Sequence, residues 1–146
     1  MNFKVLKLKI GFTAEVSGID LRQNISYEQK IQLTKLINEY AVIILKNQKI
    51  NDDEQIKFSE NFGFIEPAGT NTELTKITDR RLSLKMNDVS NLDKNNKPLK
   101  KSNQNRIFGL GNRLWHTDAS FKKNTCNFFN FIRKKSFFKG RGHRVL

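Results

Sequence analysis

The stretch Trp115-His-Thr-Asp-Ala-Ser-Phe121 sets a histidine and an aspartate two residues apart. On a strand, positions i and i+2 point to one face, so the His116 imidazole and the Asp118 carboxylate can converge on a single ion. A nitrogen and an oxygen donor held in this way make two corners of the 2-His-1-carboxylate facial arrangement. That arrangement leaves positions on iron(II) open for a co-substrate and oxygen, and its third corner would be a distant histidine. The bare pattern is short, and a surface hydrogen bond between the two side chains is its other reading.

Such a pair needs a scaffold, and the preceding residues supply one in mixed α/β order. Leu6, Leu8 and Ile10 alternate with Lys7 and Lys9, the period of a half-buried strand, with Phe3-Lys4-Val5 in the opposite phase. Ala14-Glu-Val-Ser-Gly-Ile-Asp-Leu21 reads as a short strand and turn. Ser26-Tyr-Glu-Gln29 is a capping box that opens a helix with Ile31, Leu33, Leu36, Ile37 and Tyr40 as its apolar positions. Ala41-Val-Ile-Ile-Leu45 is a continuous apolar run, the pattern of a strand covered on both faces. Asn51-Asp-Asp-Glu54 caps a second helix that carries Ile56, Phe58 and Phe62 and ends at Gly63. Residues 66–82 read as a loop and Leu82-Ser-Leu-Lys-Met86 as a strand. Residues 90–105, rich in Asn and Lys, read as an exposed, mobile connection.

Bulk properties narrow the class. A chain of 146 residues suits one domain. No apolar run approaches the roughly 18–20 residues needed to cross a bilayer, and lysines interrupt the amino-terminal apolar positions, unlike a signal peptide. A cytoplasmic protein without a membrane partner is expected. One cysteine, Cys126, cannot form an internal disulfide. The net charge of +13 invites a nucleic-acid reading, but eight of the 27 Lys and Arg lie in residues 122–146, which hold no Asp or Glu. The first 121 residues keep 19 basic against 14 acidic groups, so the body is only mildly basic.

Asn112-Arg-Leu-Trp-His-Thr-Asp-Ala-Ser-Phe121 resembles the iron-binding strand of the taurine dioxygenase/2,4-D dioxygenase (TauD/TfdA) family. There a Trp precedes His-x-Asp, and Ser-Phe or Thr-Phe follows it. The likeness extends to 14–21, to Ala41-Val-Ile-Ile-Leu-Lys-Asn-Gln48 and to Phe58-Ser-Glu-Asn-Phe-Gly-Phe-Ile-Glu-Pro67, covering about residues 7–121. The resemblance implies the amino-terminal part of a double-stranded β-helix, or jelly roll. It also implies His116 and Asp118 as iron ligands, Trp115 as a packing residue beside them, and 2-oxoglutarate as co-substrate. The implied reaction couples oxidative decarboxylation to succinate with hydroxylation of a small acidic substrate by O2.

In that family the third ligand, a histidine, and an arginine for the co-substrate carboxylate lie far beyond position 146. His143, only 27 residues past His116, has no local pattern to support it in that role. The expectation is a truncated dioxygenase, inactive as written. Residues 1–123 form the family-like part and 124–146 a basic, Phe-rich tail that departs from the pattern. A frame shift near Lys123 accounts for the tail, since allowed codons for 124–145 read one base later give a family-like continuation; Cys126 and His143 would then be accidents of frame. Two alternatives are a non-catalytic interaction protein and a basic module binding nucleic acid through tail cations and Phe stacking. Substrate choice and oligomeric state are not encoded legibly.

Overall fold

The computed structural model describes residues 3–8, 11–67 and 80–116, together with Phe128 and Asn130. A three-stranded sheet in the order β1-β2-β3 organises the first half, built from β1 (Lys4–Lys7), β2 (Thr13–Ser17) and β3 (Val42–Leu45). β1 and β2 are antiparallel, with Val5 opposite Val16. β2 and β3 are parallel, with Val16 opposite Leu45, and α1 (Tyr27–Tyr40) is the crossover between them. This is the mixed α/β order anticipated from the patterning.

Local sequence explains each helix start. Ser26 accepts from the Gln29 backbone N–H at 3.2 Å, while the Gln29 side chain accepts from the Ser26 N–H at 2.8 Å. Two of the unpaired donors at the start of α1 are satisfied in this way. Asn51 and Glu54 repeat the device for α2 (Asp52–Glu60), at 2.9 and 2.8 Å. Asp52, Asp53 and Glu54 oppose the positive end of the α2 dipole, and Lys57 sits at its negative end. α2 stops at Glu60, three residues before Gly63, because Asn61 folds its side-chain amide back onto the Lys57 and Phe58 carbonyls. The passage from α1 to β3 is abrupt. Ala41 takes φ 55°, a region costly for a residue with a Cβ, and Val42 already donates to the Phe12 carbonyl beside it.

One face of the sheet is the core. Val16 and Leu33 are fully enclosed, with Leu21 and Phe58 beside them, and Ile43, Leu45, Leu36 and Phe62 pack around this group. Of the apolar positions on α1, only Leu33 is fully covered, and the others are partly so. The other sheet face corrects two expectations. Leu6 is 61% exposed, and Val42 and Ile44 are 39% and 38% exposed, so neither the alternation in β1 nor the apolar run in β3 is buried as its pattern suggested. Both strands lie at sheet edges, and among the described residues no second layer covers this face. Glu15, from the same face, forms an ion pair with Lys46.

Residues 80–103 depart from expectation in the other direction. Residues 82–86 form a turn, not a strand: Met86 N–H donates to the Ser83 carbonyl, and Arg80 Nη2 donates to the Ser83 and Met86 carbonyls at 3.3 and 2.8 Å. A guanidinium occupies the acceptors that a neighbouring strand would have used. Within the connection read as exposed, residues 91–99 fold into a small hairpin. Leu92 bridges Pro98, Leu99 donates to the Asn91 carbonyl at 2.7 Å, and Asp93 accepts from the backbone of Asn95 and Lys97 at 2.8 Å each. Arg81 staples the hairpin, donating to both Asp88 oxygens at 2.8 and 2.7 Å and to Asn96 Oδ1 at 2.9 Å. Asn103 then caps α3 (Gln104–Phe108), which runs into a 3₁₀ turn, Gly109–Arg113.

Two outcomes test this account. Leu33→Ala empties the centre of the core and should cost about 2–5 kcal/mol, whereas Leu6→Ala on the open face should cost well under about 1 kcal/mol; urea unfolding of each variant measures both. The second concerns Asp88, whose burial alone would raise its pKa. Hydrogen bonds from Arg81 and Ser90 and the charges of Arg81 and Arg80 outweigh this and hold it below 3.8. A depressed carboxylate stabilises the fold above its unfolded pKa and loses that contribution as pH falls through the folded value. The Arg81 Nε–H resonance should therefore stay protected at neutral pH and lose protection on acidification, with a midpoint below that of an ordinary aspartate. Asp88→Asn should remove that transition.

Candidate metal centre

His116 follows the 3₁₀ turn directly. Leu114 ends the turn in an extended conformation, φ −91° and ψ 151°, and donates its N–H to the Gly111 carbonyl. Trp115 and His116 continue into solvent, with Trp115 85% exposed. The His116 ring is not left to rotate, because Nδ1 lies 2.7 Å from the Leu114 carbonyl oxygen. A carbonyl only accepts, so the hydrogen belongs on Nδ1 and the lone pair of the neutral ring on Nε2. Metal-ligating histidines are oriented by an outer hydrogen bond of this kind.

Asp118, Cys126 and His143 lie outside the described residues, so convergence of Asp118 with His116 is an expectation that the geometry does not address. Among the described residues, no group of three or more His, Cys, Asp or Glu side chains is arranged to hold a metal ion. The donor chemistry fits iron(II) nonetheless, since a neutral imidazole with a defined tautomer and a carboxylate two residues on are ligand types that ion accepts.

Two features beside His116 were not read from the sequence. One is the Leu114 carbonyl, which is backbone and has no side-chain signal. The other is a set of exposed apolar residues leading up to His116, namely Ile107, Phe108, Leu110, Leu114 and Trp115. Its residues are plain in the sequence, but their exposure is not. The basic groups around the turn after β2 form no comparable centre. Arg22 is held by both Asp20 oxygens, which pulls the Asp20 pKa down to about 2, and Lys46 is paired with Glu15. No helix among the described residues is long and apolar enough to cross a membrane.

Comparison with known proteins places this geometry in context. The sequence profile described as Taurine catabolism dioxygenase TauD, TfdA family matches residues 3–129. The alpha-ketoglutarate-dependent 2,4-dichlorophenoxyacetate dioxygenase of Cupriavidus pinatubonensis (strain JMP 134 / LMG 1197) is 29% identical over 112 residues, which is 77% of this chain and 38% of that protein. The protein of the same description from Burkholderia sp. (strain RASC) is 25% identical over 112 residues, 77% of this chain and 37% of its own length. The chain thus spans under two fifths of the length of these curated relatives. The crystal structure of AAD-2 in complex with Mn(II) and N-oxalylglycine superposes with a TM-score of 0.76 at 40% identity, covering 84% of this chain and 42% of that one.

The tautomer is directly testable. Nitrogen-15 spectra of the His116 ring at a pH where it is neutral should show the proton on Nδ1. A ring protonated on Nε2 would contradict the Leu114 contact.

Proposed function

The chain belongs to the taurine catabolism dioxygenase TauD, TfdA family, and we propose that it supplies the amino-terminal part of an iron(II)- and 2-oxoglutarate-dependent dioxygenase acting on a small acidic substrate. The observation that carries this reading is the His116 ring, held by the Leu114 carbonyl within a His-x-Asp pair that the family match includes.

In this reading His116 Nε2 and an Asp118 oxygen are two protein ligands to the metal, and a histidine outside this pair is the third. When bound, iron(II) would supply the oxidising chemistry in which 2-oxoglutarate and O2 are consumed, the co-substrate being decarboxylated to succinate as a substrate carbon is hydroxylated. The AAD-2 complex supports the class of metal and co-substrate: it holds Mn(II), a divalent first-row ion as iron(II) is. N-Oxalylglycine is 2-oxoglutarate with an N–H in place of one methylene.

The chain's own contribution is orientation. The Nδ1–H bond to Leu114 restrains the plane of the imidazole, which lowers the ordering cost of ligation. The hairpin of residues 91–99 is tied to α3 by Arg106, which donates to the Leu99 carbonyl at 2.9 Å. It thus restrains the chain entering the site.

Trp115 is the chain's one tryptophan and adjoins His116, so its fluorescence reports on the pair. Anaerobic titration with iron(II) should give saturable quenching of the 146-residue polypeptide. His116→Ala or Asp118→Ala should weaken binding by about tenfold or more. Quenching that never saturates, or that is unchanged in both variants, would overturn the assignment.

A further inference from the structure

Gln55 and Ser59 lie one turn apart on α2, and Phe62 follows at its exit. All three meet residues from the far end of the chain. Gln55 is only 8% exposed although polar, and its Nε2 donates to the Asn130 carbonyl at 3.4 Å. The Ser59 hydroxyl oxygen accepts from Asn130 Nδ2 at 2.9 Å. Phe128, half-buried, meets Phe62 edge to face with ring centroids 5.9 Å apart, and Phe62 rests in the same way on the core residue Phe58 at 5.4 Å.

The chemistry of these contacts is selective. Ser59 gives its single hydroxyl hydrogen to the Gln55 carbonyl at 2.8 Å, so toward position 130 its oxygen offers only lone pairs. A side chain seated there must therefore donate. The amide of Asn130 does so, whereas a carboxylate of the same shape, being an acceptor only, cannot. Phe62 adds a second requirement, an aromatic ring two residues earlier that can meet it edge to face.

Charge favours the same partner. α2 carries Asp52, Asp53, Glu54 and Glu60 against Lys57, so it is an acidic element in a chain of net charge +13. The exposed pair of Glu60 with Lys85 leaves it acidic. Residues 122–146 hold eight Lys and Arg and no Asp or Glu. Opposite charges on the helix and the tail attract within a Debye length, about 8–10 Å at ordinary salt, which covers the distances of direct docking.

We propose that α2 is a docking surface for the chain's own basic tail, recognised as Phe-x-Asn: Phe62 takes Phe128, and Gln55 and Ser59 take Asn130. The contact is a strap that fastens the tail to the body of the fold. It involves no metal ligand and is independent of the dioxygenase reading. It also makes Phe128 and Asn130 part of the folded body, although they lie in the segment whose composition departs from the family pattern.

The test uses the 146-residue polypeptide and reads docking from nuclear Overhauser contacts between the Phe62 and Phe128 rings. Asn130→Asp alters no residue of α2 or the core and should reduce these contacts severalfold at neutral pH. Ser59→Ala should do the same, while Ser59→Thr, which keeps the hydroxyl, retains them. Contacts between the Val16 and Leu33 methyls should persist in every variant, showing that the core stays folded. Absence of the ring contacts in the parent, or their full retention in Asn130→Asp, would overturn the proposal. So would ring contacts found only between copies in a mixture of isotopically labelled and unlabelled chains, because α2 would then be holding the tail of a second copy.

Discussion

Ala14 beside Ile43 and Val16 beside Leu45 join two strands that run in the same direction. A parallel pair cannot be closed by a hairpin, so a crossover must cover the sheet on its way back. α1 meets that demand by placing Leu33 against Val16, and Leu21 and Phe58 complete the enclosure. The rest depends on this pairing. Without it β3 has no neighbour to align it, α2 has no floor for Phe58, and the face that holds Asn130 is not presented.

α2 has a part larger than its nine residues suggest. It carries Phe58 into the core, and its polar residues Gln55, Ser59 and Glu60 reach distant parts of the chain. Polar groups there are satisfied by partners far away in sequence, which is how a short helix organises segments with little regular structure of their own. The loop of residues 80–103 follows the same rule. Its carbonyls and amides are met by Arg80, Arg81, Asp93 and turns instead of a ladder. Two neighbouring arginines set its shape with almost no apolar burial.

The fold is lopsided in its burial. One sheet face is packed by helices, while the other leaves Leu6, Val42 and Ile44 open, and Ile107, Phe108, Leu110, Leu114 and Trp115 are exposed ahead of His116. Jelly-roll proteins bury apolar faces between layers. The chain covers 42% of the AAD-2 chain that it matches.

The sequence by itself determined the elements whose causes are local. Ser26 with Gln29 and Asn51 with Glu54 announce both helix starts, because a capping box is complete within four residues. The family was legible for a related reason: Trp115-His-Thr-Asp and the segments before it are contiguous strings that need no partner to be recognised. What only the tertiary structure decided were quantities set by neighbours distant in sequence. Alternation in residues 3–10 and the apolar run of β3 signal apolar faces, but whether a face is covered depends on a second layer, which sequence period does not report. The turn at 82–86 replaced a strand because Arg80 reached its carbonyls first. The His116 tautomer follows from a backbone oxygen, and the seat for Asn130 from side chains more than seventy residues away. Neither leaves a mark in the spacing of residue types, because hydrogen bonds of this kind are chosen by proximity after the chain has folded.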